Sequence, residues 1–170
     1  PDAGVARGID VRGDLVGDDL TDVSRWHGQL YMAIDEGRLE GLAPWIDYPF
    51  AASGVGALKA WMGVEGGKPH SLTVQFALRD FGARLDPALP ALEGAEASGR
   101  VTAVRDGDTH RVELRGFAMQ AGEALRIEPT DVDVTFGPAG GALELSVADV
   151  GELVVLSDYL PMPESVRQRL

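Results

Sequence analysis

The chain contains no cysteine. That absence excludes a disulfide framework, a thiolate metal site and cysteine redox chemistry, and it is compatible with an oxidising compartment. Long hydrophobic runs are also missing: no stretch approaches the ~20 consecutive apolar residues that a membrane-spanning helix needs. Positive charge is scarce, with 15 Lys and Arg against 27 Asp and Glu and a formal net charge of −12. The basic residues are scattered singly, which disfavours nucleic acid as a partner, and the net acidity repels an anionic lipid surface. Histidine is limited to His27, His70 and His110, with no spacing that would put two on one helical face. No metal site and no cofactor are expected from them.

Catalytic signatures are equally thin. No serine lies in a strained glycine elbow, so a serine hydrolase is not indicated. Asp18-Asp19, Asp106/Asp108 and Asp131/Asp133 fall in turns or on the polar side of strands, where carboxylates are solvated. Gly54-Val55-Gly56, with Lys59 nearby, lacks the interval and the following helix of a phosphate-binding loop; its glycines relieve crowding in a strand. The chain reads as no enzyme, and no residue is assigned a catalytic role.

What is present is enough apolar material, 45% of 170 residues, to fold one domain without metal or disulfide support. Beginning at Pro1 and not at methionine, the chain is expected to be a β-rich portion, 1–170, of something longer. Alternation with period 2 dominates it. Leu30, Met32 and Ile34 oppose Gln29, Tyr31 and Ala33; Leu72, Val74, Phe76 and Leu78 oppose Ser71, Thr73 and Gln75. Val112 and Leu114, then Val132, Val134 and Phe136, repeat the pattern, which predicts half-buried antiparallel strands with one apolar and one polar face. Turn signals at Glu65 to Pro69, Asp106-Gly107 and Gly137 to Gly141 make consecutive strands neighbours through hairpins. The prolines Pro87 and Pro90 argue against a regular central strand over Asp86 to Glu96.

The apolar phase slips inside two strands. Even positions are apolar through Leu78, odd ones from Phe81; the same change separates Leu114 from Phe117 and Met119. A slip of one residue would turn the core side to water unless a bulge absorbs it, and bulges bend and twist strands. Strong curvature is therefore expected, with hinges near Asp80 and Gly116.

A second level of order is an apparent repeat. Leu30 to Asp35 leads into an amphipathic segment, Glu36 to Ile46, that exits at Tyr48-Pro49; Leu143 to Ala148 leads into Leu153, Leu156 and Leu160 and exits at Met162-Pro163. Asp149 and Glu152 suit a capping box for the later helix, and Pro163 to Leu170 suits a further helical turn. The expected fold is mainly β with short helices: curved, bulged antiparallel sheets in two related strand-helix repeats, about 1–85 and 86–170, sharing a core and forming a groove or half-barrel. Trp26, Trp45 and Trp61 read first as core anchors, and as ligand contacts if an open apolar surface carries them.

Particular runs of residues are similar to a known family. Trp26 to Tyr31, Gly37 to Trp45, Ser53 to Trp61 and Phe76 to Phe81, with Leu89 to Leu92 and Leu160 to Pro163, resemble the middle region of YhdP-type AsmA-like proteins of Gram-negative bacteria. The resemblance spans nearly the whole chain. It implies a periplasmic segment of a bridge-like lipid transfer protein, held at the inner membrane by an anchor outside this sequence, in which a β-sheet groove shields phospholipid acyl chains on their way to the outer membrane. Phospholipid and the remaining repeats of the same chain are the implied partners. Leu30, Met32, Ile34, Trp61, Leu72, Val74, Phe76 and Leu78 are the residues expected to line the groove. The alternative is a structural or protein-interaction β module of the cell envelope without lipid transfer.

Overall fold

A computed structural model describes residues 6–19, 21–42, 51–84, 91–122, 125–138 and 140–146. They form one open, eight-stranded antiparallel sheet in which every strand pairs with its neighbours in sequence. The strands are β1 Ala6–Val16, β2 His27–Arg38, β3 Ala51–Glu65, β4 Lys68–Arg84, β5 Leu92–Asp106, β6 Thr109–Ala121, β7 Leu125–Gly137 and β8 Gly140–Ser146. The three glycine-marked turns join β3 to β4, β5 to β6 and β7 to β8, where they were expected. Positive φ at Gly67 and Gly107 supplies the left-handed backbone such tight connections require.

Three sequence expectations are corrected. Glu36 to Arg38 continue β2, and Leu39–Leu42 is a single 3-10 turn, so no α-helix begins at Glu36; hydrogen bonding to β3 outweighs the short apolar stripe. β5 starts at Leu92, two residues after Pro90, because proline restricts only the strand positions it occupies. β1 was not anticipated, although Ile9, Val11 and Leu15 alternate with Asp10, Arg12 and Asp14. The described strands follow one another as a meander and are not divided by helices. The expected helix over 149–160, its Asp149 cap, the terminal turn and Trp45 lie outside the described residues.

The bulges carry the curvature. Register shifts occur between Ile34 and Gly37 in β2, Ser53 and Val55 in β3, Leu78 and Phe81 in β4, Ser98 and Arg100 in β5, and Leu114 and Phe117 in β6. Traced through the register, they lie within a few residues of one level, so the sheet is creased along a line that crosses its strands. Both expected hinges are there: Asp80 has φ 51° and Gly116 has φ 57°. Because each bulge absorbs one residue, the apolar side chains stay on the same face on both sides of the crease.

Beyond the crease that face closes into a core. Leu92, Ala95, Leu125 and Ile127 are buried together, with Phe81, Phe117, Met119 and Ala121 packed against them. Leu125, only 2% exposed, is the most completely buried large side chain among the described residues.

Candidate functional site

Between the crease and the hairpin turns the two faces of the sheet separate cleanly. Val11, Met32, Ala60, Val74, Val101, Leu114, Val132 and Leu145 are successive cross-strand partners over all eight strands. A parallel row runs Leu30, Met62, Leu72, Ala103, Val112 and Val134, and another runs Ile9, Ile34, Leu58, Phe76 and Gly99. Alternation along the strands puts these rows on one side. At Gly99 an added Cβ would stand 3.4 Å from the Phe76 Cζ, so the Phe76 ring covers the backbone its partner leaves bare.

This face is not sealed. Met32 is 37% exposed, Leu72 41% and Val11 66%, and among the described residues no second layer of sheet or helix is stacked over them. Three rows, about 6.8 Å apart, span roughly 14 Å along the strands, comparable with one acyl leaflet of about 15 Å. Seven of the eight residues expected on the apolar side, Leu30, Met32, Ile34, Leu72, Val74, Phe76 and Leu78, share this face. Trp61 does not. It pairs with Tyr31 across the opposite face, ring centroids 5.4 Å apart, with the Arg12 guanidinium 5.9 Å from the Tyr31 ring. Trp61 has the parity of Lys59 and not of Leu58 and Met62, so the pleat puts its ring on the polar face despite its size. Tyr31 and Arg12, its companions, were not singled out from the sequence.

The opposite face is polar and internally paired. Thr73 and Thr102 hydroxyls lie 3.2 Å apart. Arg115 donates to both carboxylate oxygens of Asp133, at 2.7 and 2.6 Å. That bidentate pair holds the Asp133 carboxyl below its ordinary range and raises the Arg115 guanidinium, chiefly through the hydrogen bonds. Arg79 reaches over β3 to Glu36 at 2.9 Å, linking β2 and β4 beside the crease. Asp19 is likewise lowered, first by the Thr21 hydroxyl and then by the Thr21 backbone N–H.

Among the described residues no group of three or more His, Asp or Glu side chains could hold a metal ion. His27, His70 and His110 sit on β2, β4 and β6, and the Asp106/Asp108 and Asp131/Asp133 pairs lie at a turn and on β7. Ser71 Oγ lies 3.5 Å from Nε2 of the adjacent His70, but the His70 Nδ1 is buried without a hydrogen-bond partner, so among the described residues no carboxylate orients that imidazole as a base. What the arrangement offers is area, an apolar surface seven strands wide, β1 to β7, backed by a charged one.

No curated protein matches the chain, and no solved structure does. A family model described as YhdP protein matches residues 3–170. With that match covering nearly its full length, the chain belongs to the YhdP family.

Proposed function

We propose that this chain is a periplasmic segment of a lipid-conduit protein, its apolar face sheltering phospholipid acyl chains between the inner and outer membranes. The observation that carries the reading is an apolar face that no described element covers. An apolar surface left in water costs about 25 cal/mol per Å², so a face seven strands wide favours an apolar occupant. Acyl chains fit it physically, because they need apolar continuity and no directional contact. The crease bends the sheet across its strands, which favours a gutter, and transport of this kind requires no catalytic residue. Attachment to the inner membrane through a segment outside this sequence, and continuation of the surface by further repeats of the same chain, belong to the same proposal.

The experiment is lipid extraction and mass spectrometry of the purified chain, with and without Met32→Asp. Copurified phospholipid that disappears in a still-folded variant supports the reading. Unfolding of the variant, which would place Met32 in a closed core, overturns it.

Trp61, exposed on the polar face beside the half-buried Tyr31, favours a second reading, a protein-interaction module of the cell envelope. Loss of a partner on Trp61→Ala with lipid content unchanged would support that role.

A further inference from the structure

The uncovered part of the apolar face is without charge until its margin at the hairpin turns. There the next row runs Arg105, His110, Phe136 and Gly141, directly beyond Ala103, Val112 and Val134. His110 stacks on Phe136 with centroids 5.1 Å apart and planes 16° from parallel. Arg105 donates from Nε to the Gly107 carbonyl at 3.0 Å, which holds its side chain at the turn. Among the described residues no carboxylate lies within ion-pair distance of Arg105, in a chain whose formal charge is −12. Leu72, Ala103, Val112 and Phe136 join these two basic side chains around an open hollow of about 380 Å³, which His70 and Arg111 also line.

We propose that Arg105 and His110 form a headgroup site for an anionic phospholipid, with the acyl chains running from Phe136 toward Leu72 and the crease. This rests on the lipid reading above and adds to it a preferred charge of headgroup and a fixed direction for the bound lipid. The physical reason is a division of labour. The rows of Val74 and Leu72 attract acyl chains without regard to the headgroup. A guanidinium lacking a carboxylate partner, beside an imidazole held flat by Phe136, presents N–H donors at the one edge where a phosphodiester reaches water. A zwitterionic lipid carries its own ammonium, which offsets that attraction.

The test is a titration of the isotope-labelled protein, followed by NMR, with dihexanoyl-phosphatidylglycerol, dihexanoyl-phosphatidylcholine and inorganic phosphate alone. The expected result is tighter binding of the glycerol lipid, with shifts centred on His110 and Phe136. Arg105→Gln with His110→Gln should lower that affinity roughly tenfold, the scale of a lost charge-assisted hydrogen bond, and leave the choline lipid unchanged. Arg100→Gln removes the same charge from the opposite face, where Arg100 donates to Gln75, away from the hollow, and should change neither. Equal binding of the two lipids overturns the headgroup site and leaves the lipid reading standing; binding of neither overturns both. Phosphate that binds as tightly as the anionic lipid makes this a plain anion site and overturns the proposal. Arg100→Gln acting as strongly as Arg105→Gln would also overturn it, by reducing the preference to overall charge.

Discussion

The Asp131 carboxylate accepts a hydrogen bond from the backbone N–H of Gly116 at 2.7 Å, so a side chain on β7 pins the bulge on β6. Gly116 is open around its Cα, with no atom within 4 Å of an added Cβ, and its φ is 57°. Replacing it tests backbone strain almost in isolation. Gly116→Ala should cost about 1–2 kcal/mol, the price of left-handed backbone, and Asp131→Ala about 1 kcal/mol, the order of a net hydrogen bond. Chemical denaturation of both variants measures this, and a neutral Gly116→Ala would show that the bulge relaxes.

Gly56 makes the opposite case. Its φ lies outside the left-handed region, yet an added Cβ would meet the Ala77 carbonyl oxygen and the Leu78 side chain. Overpacking of this kind costs about 1–3 kcal/mol. Gly56→Ala is therefore expected to lower the denaturation midpoint at least as far as Gly116→Ala, for a steric and not a conformational reason.

The two ends of the apolar face should respond differently to truncation. Leu125 belongs to the closed cluster, so Leu125→Ala is expected to cost about 2–5 kcal/mol. Leu72, 41% exposed, loses far less contact, and Leu72→Ala should stay below about 1 kcal/mol while reducing bound lipid. Equal losses in urea unfolding would mean that both ends are core.

Acid stability should show the Arg115–Asp133 pair. The Asp133 carboxyl is lower in the folded than in the unfolded chain, so its contribution is present above the ordinary value of about 3.9 and is lost as pH falls through the lowered folded value. Asp133→Asn removes that dependence. Its unfolding free energy should start below that of the parent at pH 7 and fall less steeply below about pH 4. Parallel curves for the two proteins would rule out the pair as a contributor.

Phe76→Asp and Trp61→Ala separate the faces. Phe76→Asp, on the apolar face, should abolish lipid copurification with the β-sheet circular dichroism signal retained. Trp61→Ala, on the polar face, should leave the lipid content unchanged. Lipid loss in Trp61→Ala would contradict the separation of faces.

Much of the sheet was legible because its signals are local. Alternation marked β2, β4, β6 and β7, glycine turns marked three hairpins, and the phase slips at Asp80 and Gly116 marked two bulges that the register then displayed. Glu36 to Arg38 were misread because a few apolar residues satisfy a helical stripe and a strand equally. Their hydrogen-bond partner, β3, decides between the two, and it lies some twenty residues away. Trp61 was misread for a different reason. Ring size argues for burial, whereas the pleat allows no choice once Leu58 and Met62 face inward.

The order of residues alone determined that the strands are one-sided, that neighbours in sequence pair, and that cysteine chemistry is excluded, since each of these depends on residue type and short spacing. Tertiary structure decided what no short window contains. It aligned Val11 with Leu145 through six intervening strands, gathered the separate bulges into one crease, and closed Leu125 into a core while leaving Leu72 open. The physical reason is that burial belongs to the assembled sheet: whether an apolar side chain meets water is set by how the strands curve together, and that curvature arises from bulges on different strands acting at one level.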